Sequence, residues 1–444
     1  MDRATWSSRL GFVMAAAGSA VGLGAIWKFP YVTAQNGGGI FLFAYLLTVF
    51  TMGISVMIAE MAVGQISQKS PVGAYRFFGG ISWSAVGYTG VLCGFLILSF
   101  YSVVGGWTIF YFVKSVQGSV ITSDVVQLRR VFEVFVHDPF EPLWYHGAFI
   151  ALTAAVVLSG VQQGIERVSK VLMSLFFLLI LILIVRSLTL PNAMEGLVYF
   201  LMPDFGSISA RMALEALGLA FFSLSLGMGC MLTYGSYVSD DTNIASSAAY
   251  VVGLTVLSCI MSGLMILPAV FSIGLDPAEG PGLTFMTMPA VFAHMGGAQF
   301  FAALFFFLLF VAAITSAVSL LEVVVSFLID EFAVSRTRAV ILMTALIFIL
   351  GVFASLSLGI WGGYTLFGMN LFEQLDYVTC HIMMPFGGVM ISLLVGWKIW
   401  GPVSRRLSGA DGAAYWWFGI FRSFCRYIAP FLILLVLVFQ HVRA

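Results

Sequence analysis

Glycines break two of the long apolar runs of this chain, and those breaks constrain its fold more than any other feature. The first lies in Gly18-Ser19-Ala20-Val21-Gly22-Leu23-Gly24 and the second in Ser223-Leu224-Ser225-Leu226-Gly227-Met228-Gly229. Glycine in mid-helix is unfavourable, and unpaired backbone facing lipid is worse. Such breaks survive only where they line a buried or wet cavity. Two of them at corresponding places in two halves of a chain point to the binding site of a secondary carrier.

Only 9% of the 444 residues are charged and 61% are hydrophobic. Soluble domains carry about 25% charged residues. The bias runs along the whole chain, which predicts an all-α, polytopic membrane protein. A helix needs about 20 apolar residues to cross the hydrocarbon core. Eleven stretches qualify: 9–33, 38–65, 84–113, 145–160, 168–189, 209–238, 243–273, 297–331, 338–356, 366–398 and 416–441. The segments 114–144, 190–208, 274–296 and 399–415 read as polar connections. The first run continues past Pro30 without a small-residue cleavage site and reads as mature structure rather than a signal peptide.

With the N-terminus in the cytoplasm, thirteen Lys and Arg residues fall inside and six outside, with Lys28 within the first span. The positive-inside rule therefore predicts a cytoplasmic N-terminus and an external C-terminus in the cell (inner) membrane. Eleven spans divide as five, five and one, which pairs the broken first helix with a broken sixth. An odd number of spans per unit forces opposite insertion. We expect two inverted repeats, 1–190 and 191–400, with 401–444 carrying an accessory helix.

The five cysteines match no zinc or redox spacing and read as packing thiols. No basic tract suggests nucleic acid. No nucleotide loop, metal cluster or nucleophile–base set suggests an enzyme. At the breaks, half-helix N-termini attract anions and bare carbonyls attract cations. Thr315 and Ser316 offer hard hydroxyl oxygens to Na⁺ in the middle of the eighth span, or serve as packing glue on their own helix. Glu60 is a charge inside a span, able to accept bonds from an unwound backbone or to face headgroups. Lys28 with Asp376, and Arg3 with Asp330, lie at matching depths and suggest gates on opposite sides. Glu322, seven residues past Thr315, bonds a neighbouring helix or carries a proton.

The residues Arg9-Leu10-Gly11-Phe12, Trp27-Lys28-Phe29-Pro30-Tyr31, Asn36-Gly37-Gly38-Gly39, Glu60, Tyr101 through Trp107, Phe221 through Gly229, Thr233 through Tyr237, and Thr315 through Glu322 resemble the neurotransmitter:sodium symporter family, its bacterial eleven-helix branch most of all. The resemblance implies Na⁺-driven uptake by alternating access. It places a second sodium site on Gly18, Val21, Ala312, Thr315 and Ser316. It places substrate against Ala20, Gly22, Gly24, Ile97, Tyr101, Phe222, Ser223, Ser225, Met228, Ser316 and Leu320. Lys28, Asp376 and Phe222 then form the outer gate, and Arg3, Trp6, Tyr237 and Asp330 the inner gate, with Glu60 as a polar hub.

The departures are informative. Ala25 stands where the family's first sodium site has an Asn, and Thr255 stands for a second Asn. Ser19, Leu219 and Cys259 replace further polar ligands of the adjoining sodium and chloride sites, with Ser258 adjacent to Cys259, and Tyr45 and Ser223 remain from the chloride set. The expectation is one Na⁺, a second being possible, and weak or no chloride dependence. The substrate is a small amino acid or, if the first ion is lost, an amine or ω-amino acid. A non-transporting receptor of the same fold is the competing class. The oligomeric state stays open.

Overall fold

A computed structural model describes residues 4–274, 283–408 and 415–442. Arg3, one of the expected inner-gate residues, lies outside the described residues. Among the described residues, nine helices are long and apolar enough to span a membrane: α2 (Gly39–Ser67), α3 (Ile81–Val116), α4 (Glu141–Leu158), α5 (Val161–Leu188), α7 (Ile244–Ser272), α8 (Ala298–Phe332), α9 (Arg336–Leu356), α10 (Leu371–Lys398) and α11 (Trp417–Val438). A tenth, α1, is the pair Arg9–Ala20 and Gly24–Gln35, bent by 51°. The run expected as the sixth span is α6, which consists of Ala210–Ser223 and Cys230–Gly235, each too short to span alone. Its six-residue gap lies where the glycines placed it.

Helices α3 and α8 form the centre. In its most apolar stretch α8 is 83% buried, against 33% for α4, α9 and α11, which turn most of their surface toward lipid. Close helix crossings explain several glycines. A side chain at Gly64 would meet the Leu232 carbonyl at 2.1 Å, and one at Gly235 would meet the Met61 carbonyl at 2.6 Å. Small residues thus bring α2 against the second half of α6.

The polar connections carry structure that hydropathy does not detect. Short helices occupy Pro71–Gly79, Val125–His137, Ala193–Leu201, Met288–Ala293 and Trp400–Ser408. Val125–His137 starts from Asp124, whose side chain caps the Val126 and Gln127 N–H groups, and buries Leu128, Phe135 and Val136. One apolar stripe suffices to hold such a helix on the bundle. Span boundaries also move, most of all at the starts of the tenth and fifth. The tenth span begins at Leu371 rather than 366, because residues 366–369 form a turn and an Asn370–Glu373 capping box starts the helix. The fifth begins at Val161, after Gly160 at φ +84°.

Candidate functional site

The site forms where the breaks of α1 and α6 face α3 and α8. Residues 21–23 of α1 leave the helical ladder. The Leu23 N–H donates instead to the Tyr101 hydroxyl of α3 at 3.1 Å. The Ser19 carbonyl accepts two hydroxyls, from Ser225 of α6 at 2.9 Å and from Ser316 of α8 at 2.8 Å. Three helices therefore converge on one freed carbonyl, the pairing that a backbone group in an apolar interior requires.

In α6 the gap contains Ser225, Gly227 and Gly229, all at positive φ. Ser225 is the non-glycine among them, and its hydrogen bond to Ser19 holds it there. Gly227 is compelled twice. Its φ is +79°, and a Cβ would sit 2.0 Å from the Met384 carbonyl of α10. The Gly227 N–H donates to the Glu60 carboxylate at 2.7 Å. Glu60 is 3% exposed and joins α2 to the unwound strand rather than facing headgroups.

Between the breaks lies a narrow cavity of about 30 Å³. Ala20, Gly22, Gly24, Ile97, Tyr101, Phe222, Ser225, Met228, Ser316 and Leu320 line it, as do Ser19, Leu23 and Ser319. Ser223 does not line the cavity. It faces the other way, its hydroxyl 2.8 Å from that of Tyr45. The Phe222 ring closes over Gly24, where a Cβ would meet it at 2.6 Å.

The five oxygens expected to hold Na⁺ lie along the α1–α8 contact, where a Cβ at Gly18 would be 3.2 Å from the Thr315 Cβ. Thr315 donates to the Ala312 carbonyl at 3.0 Å, and Ser316 reaches the Gly18 carbonyl at 3.2 Å as well as Ser19. Four of the five oxygens are thus already joined in pairs. All are hard, uncharged oxygen donors of the kind hard cations take. The residues fit an alkali ion.

At the other candidate ion site the polar groups satisfy one another. The Ala25 carbonyl accepts the Ser262 hydroxyl at 2.6 Å, and Thr255 donates to its own helix, to Val251 at 2.9 Å. Tyr45 contacts Ser223 and, at 3.3 Å, the Cys259 sulfur. Leu219 is buried as an apolar residue.

The outer gate lacks the direct ion pair expected from the sequence. No ion pair joins Lys28 to Asp376. The Lys28 ammonium instead lies 4.9 Å from the centre of the Phe222 ring, and Asp376 accepts the Cys380 thiol at 3.3 Å. The ring offers the ammonium a partner directly above the cavity. At the opposite end, Asp330 accepts the Ser70 N–H at 2.6 Å. Trp6 donates from its indole to the Tyr234 carbonyl at 3.0 Å and packs edge-on against Tyr237.

Two partnerships at this end were not specified by the sequence. The first is the partner of Glu322, which pairs with Arg336 at 2.5 Å, Tyr237 adding its hydroxyl at 2.7 Å. Glu322 thus bonds neighbouring helices. The second is Glu166, which accepts the Ser7 N–H at 2.8 Å, the Ser7 and Ser8 hydroxyls and the Lys170 ammonium, tying the segment before α1 to α5. A buried Glu flanked by Arg167 and Lys170 was the available signal. Ser319 had one too, standing one helical turn past Ser316 and on the same face.

Comparison with known proteins places this geometry. The profile of the Sodium:neurotransmitter symporter family matches residues 3–125 and 135–444. The chain is 40% identical over 438 residues to the uncharacterized sodium-dependent transporter YhdH of Bacillus subtilis, covering 97% of this chain and 96% of that one. It is 32% identical over 454 residues to an uncharacterized sodium-dependent transporter of Haemophilus influenzae, covering 98% of each. Among solved structures, MhsT in complex with L-phenylalanine superposes with a TM-score of 0.91 at 40% identity, over 98% of this chain and 99% of that one.

Proposed function

The chain belongs to the sodium:neurotransmitter symporter family, and from that membership we propose that it imports a small neutral amino acid-like substrate with one Na⁺, by alternating access and with weak or no chloride dependence. It is a multi-pass, sodium-dependent membrane transporter, and the family is one of transporters rather than enzymes. The ion count and the substrate are the finer reading.

One observation carries the single-ion reading: Ala25 and Leu219, both buried, present no side-chain oxygen at the positions where the family's adjoining sodium and chloride sites have polar ligands. Na⁺ is assigned to Gly18, Val21, Ala312, Thr315 and Ser316, whose oxygens need only exchange short mutual bonds for the ion. Substrate is assigned to the cavity under Phe222, with Tyr101 and the freed N–H groups of α1 toward its carboxylate. The structural neighbour's L-phenylalanine supports an α-amino acid over an amine.

The halves 1–190 and 191–400 act as inverted units around the two breaks, with 401–444 outside them. The N-terminus is cytoplasmic and the C-terminus external. Phe222 with Lys28 closes the outer side. Trp6, Tyr237 and Asp330 close the inner side, with Arg3 assigned there by its sequence position.

Charge moved per substrate in proteoliposomes, measured with the Na⁺ dependence of uptake, tests the reading. One charge per zwitterion, a Hill slope near one and equal rates in chloride and gluconate are expected. Two charges and a slope near two overturn the single-ion assignment, and a requirement for chloride overturns the anion assignment.

A further inference from the structure

Four serines line the cavity: Ser19, Ser225, Ser316 and Ser319. Each has one O–H hydrogen and two acceptor lone pairs. Ser225 and Ser316 donate to the Ser19 carbonyl. Ser319 donates one turn back along α8, to the Ser316 carbonyl at 2.8 Å. The 2.6 Å bond between the Ser19 and Ser319 hydroxyls is therefore made with the Ser19 hydrogen. All four hydrogens are spent on the protein, the buried Cys230 thiol also hydrogen-bonds the Ser19 and Ser319 hydroxyls, and Tyr101 hydrogen-bonds Ser316. What these oxygens have left to offer a ligand is their remaining lone pairs.

This polar patch shares the cavity with the apolar Ile97, Met228 and Leu320. An apolar ligand group would fill the space and leave the lone pairs unused. A ligand O–H or N–H would use them and disturb none of the existing bonds. Resting on the amino-acid symporter reading above, we propose that the Ser19–Ser319 hydroxyl pair, joining the α1 break to α8 in the cavity wall, is a specificity element that selects neutral amino acids whose side chains carry a hydrogen-bond donor. The effect is moderate, because an apolar substrate breaks no bond of the pair. One added neutral hydrogen bond corresponds to about three- to tenfold in affinity.

The test uses purified full-length protein in proteoliposomes and compares apparent affinities for Na⁺-driven uptake within near-isosteric pairs: threonine with valine, serine with alanine, tyrosine with phenylalanine. The hydroxylated member of each transported pair is expected to be favoured about three- to tenfold. Ser19→Ala combined with Ser319→Ala should bring that ratio to about one. Equal affinities in the wild-type protein mean that the lone pairs serve the α-ammonium common to all amino acids, and they overturn the proposal. So does a preference that survives in the double variant. The wild-type ratios need no variant, so a misfolded double variant leaves the test standing. If none of the six supports Na⁺-dependent uptake, the amino-acid reading itself fails and takes the proposal with it.

Discussion

Removing Arg336 should damage this protein more than removing Glu322, and removing both should damage it less than the sum. Glu322 is fully buried in α8, whereas the Arg336 side chain at the start of α9 is 24% exposed. Arg336 places two nitrogens on the carboxylate, at 2.5 and 3.1 Å, and a third on the Val157 carbonyl at 2.8 Å. Breaking a buried pair by deleting one partner costs about 3–5 kcal/mol, because a charge is stranded in a poor solvent. In Arg336→Met, Glu322 keeps the Tyr237 hydroxyl, which places the loss near the lower end, about 3 kcal/mol. In Glu322→Gln the amide still accepts from both neighbours and the guanidinium has water within reach, so about 1–2 kcal/mol is expected.

The double variant strands no charge and should lose about 1–2 kcal/mol, a coupling of roughly 3 kcal/mol. Thermal unfolding in detergent reads the order. For a chain of this length the shift is on the order of 1 °C per kcal/mol. Arg336→Met should melt about 3 °C below the wild-type protein, with the double variant between it and the wild type. If the double variant melts below Arg336→Met by the full Glu322→Gln decrement, about 4–5 °C below the wild-type protein, the pair is not coupled and the reasoning fails. A wild-type melting point for Arg336→Met would refute it equally.

Other expectations are simpler. Gly227→Ala combines a left-handed backbone with a Cβ 2.0 Å from the Met384 carbonyl; it should cost more than about 3 kcal/mol and depress folded yield on size exclusion. Gly253→Ala, whose Cβ meets nothing within 4 Å, should be neutral or stabilising by up to about 1 kcal/mol. Thr315→Ala with Ser316→Ala should abolish the thermal shift produced by Na⁺, in chloride and gluconate alike. A shift that persists would remove the ion from α8. Lys28→Gln deletes an ammonium–ring contact worth about 0.5–2 kcal/mol, so bound radiolabelled substrate should leave about two- to thirtyfold faster. Asp376→Asn should change that rate less. The opposite order would restore the Lys28–Asp376 ion pair as the outer lock.

Much of the architecture is local in origin and was therefore legible in the residues. Lipid offers no hydrogen bonds, so each crossing must write its own apolar run, and each break must be permitted by glycine or another small residue at that point. The breaks at Val21–Leu23 and Leu224–Gly229, and the lining residues from Ala20 to Leu320, follow from that requirement together with a motif preserved in order. The amphipathic helices between spans were hidden because one stripe of apolar residues, such as Leu128, Phe135 and Val136, barely raises average hydropathy.

Partner choice was the tertiary structure's to decide. Ser19 meets Ser319 across 300 positions, and Ser262 meets the Ala25 carbonyl across 237. A serine's neighbours, unlike its helical face, are not written in its own segment. The same holds for Lys28, which sequence paired with Asp376 by depth and the fold set on the Phe222 ring. The sequence by itself determined where the backbone had to be released from the helix, since that depends on side chains within a few residues. Only the packing of α1, α3, α6 and α8 decided which hydroxyls answer the freed carbonyls, because a hydrogen bond depends on distances of about 3 Å that no local pattern fixes.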